Sequence, residues 1–187
     1  DSAERRGFHV FSIEMQGRRV HGQGAEQQVV PLGHGPAHLV LELLSDLGPI
    51  RDNPGRLNAR YYVPEGLKGP APLVVVLHGC TQDAALYDHG SGWSTLADRH
   101  GFMLLFPEQT RANNPLLCSN WFSVGDTQRG MGEAASIRSM IEAMAKAHAV
   151  DGQRIFVTGL SAGGAVASVL LATYPEVFGA GSILAGM

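Results

Sequence analysis

No run of like charge occurs anywhere in this chain: 14 Lys and Arg face 17 Asp and Glu, the formal net charge is -3, and the isoelectric point is about 6.2. That balance argues against a nucleic-acid or polyanion surface. Long apolar runs are missing as well. The longest, Pro72 to Leu77 with its neighbours, is far shorter than the roughly 20 residues that a membrane-spanning helix needs, so no membrane span is expected. The opening Asp1-Ser2-Ala3-Glu4-Arg5-Arg6 has neither an initiating Met nor the apolar core of a signal peptide, and it reads as a start cut by processing or by design. Secretion is not readable from it. Two cysteines, Cys80 and Cys118, are too few to name a compartment. His9, His21, His34 and His38 lack the tight helical i, i+4 pairing with an acid partner that a metal site uses, and they are expected to be surface or loop residues. No metal or other cofactor is expected.

What is present is one globular domain's worth of apolar residues, 44% of 187. Its most informative stretch is Gly159-Leu160-Ser161-Ala162-Gly163. An apolar run, Arg154 to Thr158, precedes it, and a run of small and apolar residues, Gly164 to Leu171, follows. A serine between glycines at those offsets, with a strand before and a helix after, is the nucleophile elbow of an α/β hydrolase. The turn is sharp, and strand and helix approach too closely for side chains at Gly159 and Gly163. An ordinary tight strand-to-helix connection is the plainer alternative, and the flanking pattern disfavours it.

The remaining pattern is consistent with that class. Residues 1 to 55 hold short apolar patches (Phe8 to Ile13, Val29-Val30, His38 to Leu44) that read as antiparallel edge strands, with a helical turn at Leu39 to Leu47. Asn58 to Val63 has strand composition stopped by Pro64, and Pro72 to His78 is the continuous apolar run of a central strand covered on both faces. Ser91 to His100 reads as a helix and Phe102 to Pro107 as the next buried strand, a right-handed crossover. Gly132 to Ala149 carries Ala134, Ile137, Ile141, Met144 and His148 on one helical stripe. After the elbow a helix to Thr173 and a strand over Val177 to Leu184 follow, the latter with its outer edge open. The expected architecture is therefore an α/β-hydrolase fold, a mostly parallel sheet with helices on both faces. Residues 1–55 form a lead segment and residues 56–187 the amino-terminal part of the catalytic domain, with the last strands of the fold missing from the chain.

At the end of the central strand stands His78-Gly79-Cys80-Thr81-Gln82. In this architecture one oxyanion-hole N–H comes from the residue after the nucleophile, here Ala162, and the other from this loop, with Cys80 the favoured donor. His78 reads as a residue bracing that loop rather than as the base.

His78 to Gln82, Phe106-Pro107-Glu108-Gln109, Cys118-Ser119-Asn120-Trp121-Phe122, Arg129-Gly130 and Gly159 to Gly164 occur in the order found in the polyhydroxybutyrate depolymerase family of esterases, an α/β-hydrolase group related to feruloyl and acetylxylan esterases. From about Leu57 onward the chain resembles that family. The resemblance implies that Ser161 is the nucleophile, that Ala162 and Cys80 supply the oxyanion hole, that Cys80 is disulfide-bonded to Cys118, and that esters are hydrolysed through an acyl-enzyme. The residues themselves are silent on the bridge, two buried thiols being the alternative. A bridge needs an oxidising compartment, which favours an extracellular or periplasmic location over the cytoplasm. Trp121 and Phe122 are candidates for an acyl pocket, although an aromatic pair is as often plain core.

One departure from the family pattern matters. The triad of an α/β hydrolase runs Ser, then Asp or Glu, then His along the chain. After Ser161 there is no histidine, and Glu176 is the single acid. The acid and base are accordingly expected on a missing carboxy-terminal segment or a second chain. The favoured function is a serine carboxylesterase acting on esters of short hydroxyacids or their polymers. The alternatives are a non-catalytic module of the same fold that binds a polymer or a protein, and a serine hydrolase for small esters or peptides.

Overall fold

Along Ala71–Leu77 the side chains alternate between two apolar compartments: Leu73, Val75 and Leu77 enter one and Val76 the other, with Val74 packed against it. Met103–Glu108 does the same, Met103 and Leu105 on one face and Leu104 and Phe106 on the other. Both runs are continuously apolar because both faces of the sheet are covered. The structure, a computed structural model, describes residues 10–13 and 43–186.

In chain order the strands are β1 (Val10–Ile13), β2 (Ser45–Asp46), β3 (Asn58–Tyr62), β4 (Ala71–Leu77), β5 (Met103–Glu108), β6 (Val150–Leu160) and β7 (Ala180–Leu184). The helices are α1 (Ala84–Ser91), α2 (Trp93–His100), α3 (Val124–Thr127), α4 (Gly132–Ala147) and α5 (Ala162–Thr173). The seven strands form one sheet in the order β1-β7-β6-β4-β5-β3-β2, with β4 at its centre. β5, β4, β6, β7 and β1 are parallel, while β3 and β2 are antiparallel additions at one edge. α4 and α5 cover one face through Ala134, Ile137, Met140, Ile141, Met144, Val166, Ala167 and Leu170, and α1 and α2 cover the other through Ala84, Tyr87 and Ala97. Leu44 is buried, and Leu47 and Ile50 pack on the larger core, so the described part of the lead segment belongs to the same body.

Several sequence expectations are corrected. The helix foreseen over Ser91 to His100 is α2, starting at Trp93 after Gly92 at φ 73°; α1 before it was not foreseen, and Asp83 caps it by accepting the Leu86 N–H at 2.8 Å. Of the helical turn foreseen at Leu39 to Leu47, the described part from Leu43 onward holds β2 at Ser45–Asp46, which pairs with β3, and the rest lies outside the described residues. β1 is parallel to β7 rather than antiparallel, and it occupies the outer edge of β7 that was expected to be open. The last strand starts at Ala180, because Tyr174 to Phe178 turn back, with the Val177 N–H on the Tyr174 carbonyl at 3.0 Å. Val29-Val30 and His9, His21, His34 and His38 lie outside the described residues.

Candidate active site

β4, β5 and β6 end at the same edge of the sheet, the edge at which open α/β sheets place their sites. The register sets the alignment: Leu77 pairs with Gly159, so the two residues after β4 lie beside the turn that follows β6. At that turn Ser161 adopts φ 55° and ψ -119°, its side chain exposed and its residue serving as the cap of α5. A non-glycine residue at such a φ is strained, and the surroundings hold it there. Its N–H donates to the Leu184 carbonyl at 2.8 Å, and its carbonyl accepts the Ala165 N–H at 3.0 Å. The turn closes over two contacts that only glycine allows. A Cβ on Gly159 would stand 2.2 Å from the Gly163 oxygen, and one on Gly163 would stand 2.4 Å from the Leu77 oxygen.

The loop after β4 runs directly alongside. A Cβ on Gly79 would lie 3.7 Å from the Ser161 Cβ, so the His78 to Cys80 segment and the serine share one corner. The Gly79 N–H donates to Gln82 Oε1 at 2.9 Å, and the Thr81 N–H donates to the Leu116 carbonyl at 2.7 Å. Ala162, at the first position of α5, has an N–H with no partner inside the helix, and the helix dipole adds positive potential there. The Cys80–Cys118 disulfide ties this loop to the segment after β5, with the two Cα atoms 4.2 Å apart.

Beneath the loop lies a buried polar network. His78, 3% exposed, donates from Nδ1 to the Gly79 carbonyl at 2.7 Å and accepts the Gln109 N–H on Nε2 at 3.1 Å. The backbone N–H can only donate, which fixes the ring's tautomer and occupies both of its nitrogens. His78 is therefore a brace and is not placed to receive the serine proton. Gln109 donates from Nε2 to Glu133 Oε1 at 2.6 Å and to the Cys118 carbonyl at 3.2 Å. Glu133 also accepts the Asn120 N–H, at 3.0 and 3.1 Å to its two oxygens. Burial pushes the Glu133 carboxyl up to about 7, against the N–H donors of Asn120 and Gln109, which pull it down. Sequence reasoning missed Glu133 and the roles of Gln109 and Asn120. The available signal was an acid on the buried stripe of α4, one turn before Ile137.

Other candidates lie elsewhere. Glu176 pairs with Arg129, whose guanidinium also donates to the Thr173 carbonyl at 2.7 Å and covers the Tyr174 ring at 4.8 Å. That cluster closes the carboxyl end of α5, a 12-residue helix and thus about 18 Å from Ser161. His148 contacts Tyr61, its ring centroids 5.0 Å apart, next to Ala149, which pairs with Ala71 at the start of β4. It is at the opposite end of a seven-residue strand, roughly 20 Å away. His89 and His100 are exposed on α1 and α2. His78, with both ring nitrogens engaged, and His148, at the opposite end of β4, are not placed to serve Ser161 as a base. Trp121 is half-buried against the larger core, and Phe122, 65% exposed, meets it edge-on with centroids 5.8 Å apart. No helix among the described residues is long and apolar enough to cross a membrane.

A mostly parallel sheet covered on both faces, with a strained serine at a strand-to-helix turn, defines the α/β-hydrolase fold. The chain belongs to the family described as Esterase PHB depolymerase, whose profile matches residues 57–187. It is 47% identical over 143 residues to poly(3-hydroxyalkanoate) depolymerase C of Paucimonas lemoignei, a match covering 76% of this chain and 34% of that protein. It is 35% identical over 147 residues to acetylxylan esterase A of Aspergillus oryzae, covering 79% of this chain and 46% of the relative. Among solved structures it is similar to an acetyl xylan esterase from Aspergillus awamori, with a TM-score of 0.70 and 30% identity over 75% of this chain and 50% of that one. The chain thus spans about a third to a half of the length of the relatives it matches.

Proposed function

We propose that this chain carries the nucleophile and oxyanion hole of a serine carboxylesterase that works through an acyl-enzyme. The observation that carries the reading is Ser161, exposed and strained at φ 55°, with the Gly79-Cys80 loop packed against it. In the proposed mechanism the Ser161 hydroxyl attacks the ester carbonyl, and the developing alkoxide is held by the N–H groups of Ala162 and Cys80. The alcohol then leaves, and water releases the acyl group in a second cycle. The strained turn leaves the hydroxyl exposed, next to the first N–H of α5, that of Ala162. The general base and its acid partner follow the nucleophile in this fold, and are proposed to lie in the part of the relatives' length that this chain does not span.

The substrate class we infer is esters of short hydroxyacids or their polymers, a reading supported by the family and by the name of the depolymerase relative. Phe122 and Trp121 are proposed to meet the apolar part of such a substrate. The disulfide supports a location outside the cytoplasm. The test is labelling of the intact protein with an organophosphonate, followed by assay on a short-chain nitrophenyl ester. Modification confined to Ser161 and loss of turnover in Ser161→Ala are expected. Labelling at another serine, or turnover surviving the substitution, would overturn the assignment.

A further inference from the structure

We infer that Glu133 is a positioning residue for ester hydrolysis, holding the Cys80 loop in register with Ser161 from a buried site that never touches substrate. The inference rests on the esterase reading above. Glu133 is 2% exposed in the first turn of α4, and its carboxyl joins three segments. Oε1 accepts from Gln109 Nε2 at 2.6 Å, fixing the residue that follows β5. Both oxygens accept the Asn120 N–H, fixing the limb that carries Cys118. Gln109 passes the constraint on, because its own N–H holds His78 Nε2 at 3.1 Å and His78 Nδ1 holds the Gly79 carbonyl at 2.7 Å, one residue before Cys80. The Cys80–Cys118 bridge closes the circuit from the other side.

A carboxyl is a costly choice for a purely structural buried position, where an apolar residue of similar volume often serves as well or better. What it provides here is an acceptor able to take two N–H groups from separate segments at once, in a network whose buried side-chain polar atoms all have partners among the described residues. Removing it leaves the Asn120 N–H and one Gln109 N–H without an acceptor, and Gln109 keeps only the Cys118 carbonyl and the donors of Thr110 and Asn113 on its Oε1. The Gly79 end of the loop is then held less closely against Ser161, while the disulfide and the Thr81 N–H on the Leu116 carbonyl keep the loop folded. An oxyanion donor works only in the transition state, so its displacement lowers kcat and leaves KM nearly unchanged.

The experiment compares Glu133→Gln, Glu133→Ala, Gln109→Met and the Glu133→Gln/Gln109→Met double variant in the intact protein. Turnover of a short-chain nitrophenyl ester is normalised to sites counted by complete phosphonylation of Ser161, and thermal denaturation is followed in parallel. Glu133→Gln is expected to lower kcat per labelled site about tenfold to a hundredfold with KM within about twofold. The double variant should be no worse than about the weaker single, because both substitutions act through one contact. Unchanged kcat per labelled site alongside a lowered Tm, or fully additive losses, would overturn the inference. If Glu133→Ala does not fold, the isosteric Gln variant decides alone. Wild-type protein that fails to label at Ser161 would sink the esterase reading, and this inference with it. Labelling with unaltered variant kcat would sink this inference only.

Discussion

A Cβ placed on Gly163 would stand 2.4 Å from the carbonyl oxygen of Leu77, so the first turn of α5 touches the end of β4 through bare backbone. Neither partner is the far end of a flexible side chain, and the clash can be relieved only by moving the helix or the strand. Gly163→Ala is expected to cost about 1–3 kcal/mol in overpacking. A shift of Ser161 by the order of 1 Å should lower kcat about a hundredfold. Urea denaturation and turnover of the purified variant check both, and a variant with wild-type kcat would show that the close approach is dispensable.

The Cys80–Cys118 bridge closes 38 residues of chain, for which the entropic account gives about 4 kcal/mol of stabilisation. Reduction should lower the Tm and also turnover, since Cys80 is next to Gly79 and the Ser161 corner. Thiol titration of unfolded, unreduced protein is expected to find none free. Two free thiols would remove the bridge from the account.

Glu133 provides a pH signature with a definite sign. Its folded carboxyl is raised to about 7 from about 4.5, chiefly by burial. Between those values the unfolded chain has released this proton while the folded chain still holds it, so stability falls as pH rises from about 4.5 to about 7 and is flat above. The full effect is on the order of 3 kcal/mol. Glu133→Gln should remove this component. Urea midpoints for both proteins across that range test it, and identical slopes would show that Glu133 does not titrate there.

The 187 residues made alone are expected not to turn over esters at a useful rate. His78 has both nitrogens engaged, and His148 is at the far end of the sheet. A serine without its base retains only the contribution of the oxyanion hole and binding, roughly 10³ to 10⁴ over water. Turnover near that of an intact relative would mean that a histidine in this chain acts as the base after all.

Much of this molecule was legible because it is local. The continuous runs of β4 and β5 report burial on two faces, the stripe of α4 reports one, and the glycines around Ser161 report a turn too tight for side chains; each signal is contained within its own segment. Even α1 has a local mark in Asp83, an N-cap residue directly ahead of Ala84.

What the tertiary structure alone decided are the meetings between distant segments. Gln109 and Glu133 are 24 positions apart and hydrogen-bond only because β5 and α4 converge at one corner of the sheet. Nothing in composition marks that acid as a buried acceptor rather than a surface charge. Val10–Ile13 pairs with β7 across nearly the whole chain, although an isolated four-residue patch carries no information about its neighbour. Trp121 and Phe122 are adjacent and chemically alike, yet one packs on the core and the other faces solvent. Periodicity and turn chemistry act over a few residues, so the sequence by itself determined the elements and the serine's turn. Pairing, burial of polar groups and the support beneath the site depend on how the elements close in space, and only the fold determines that.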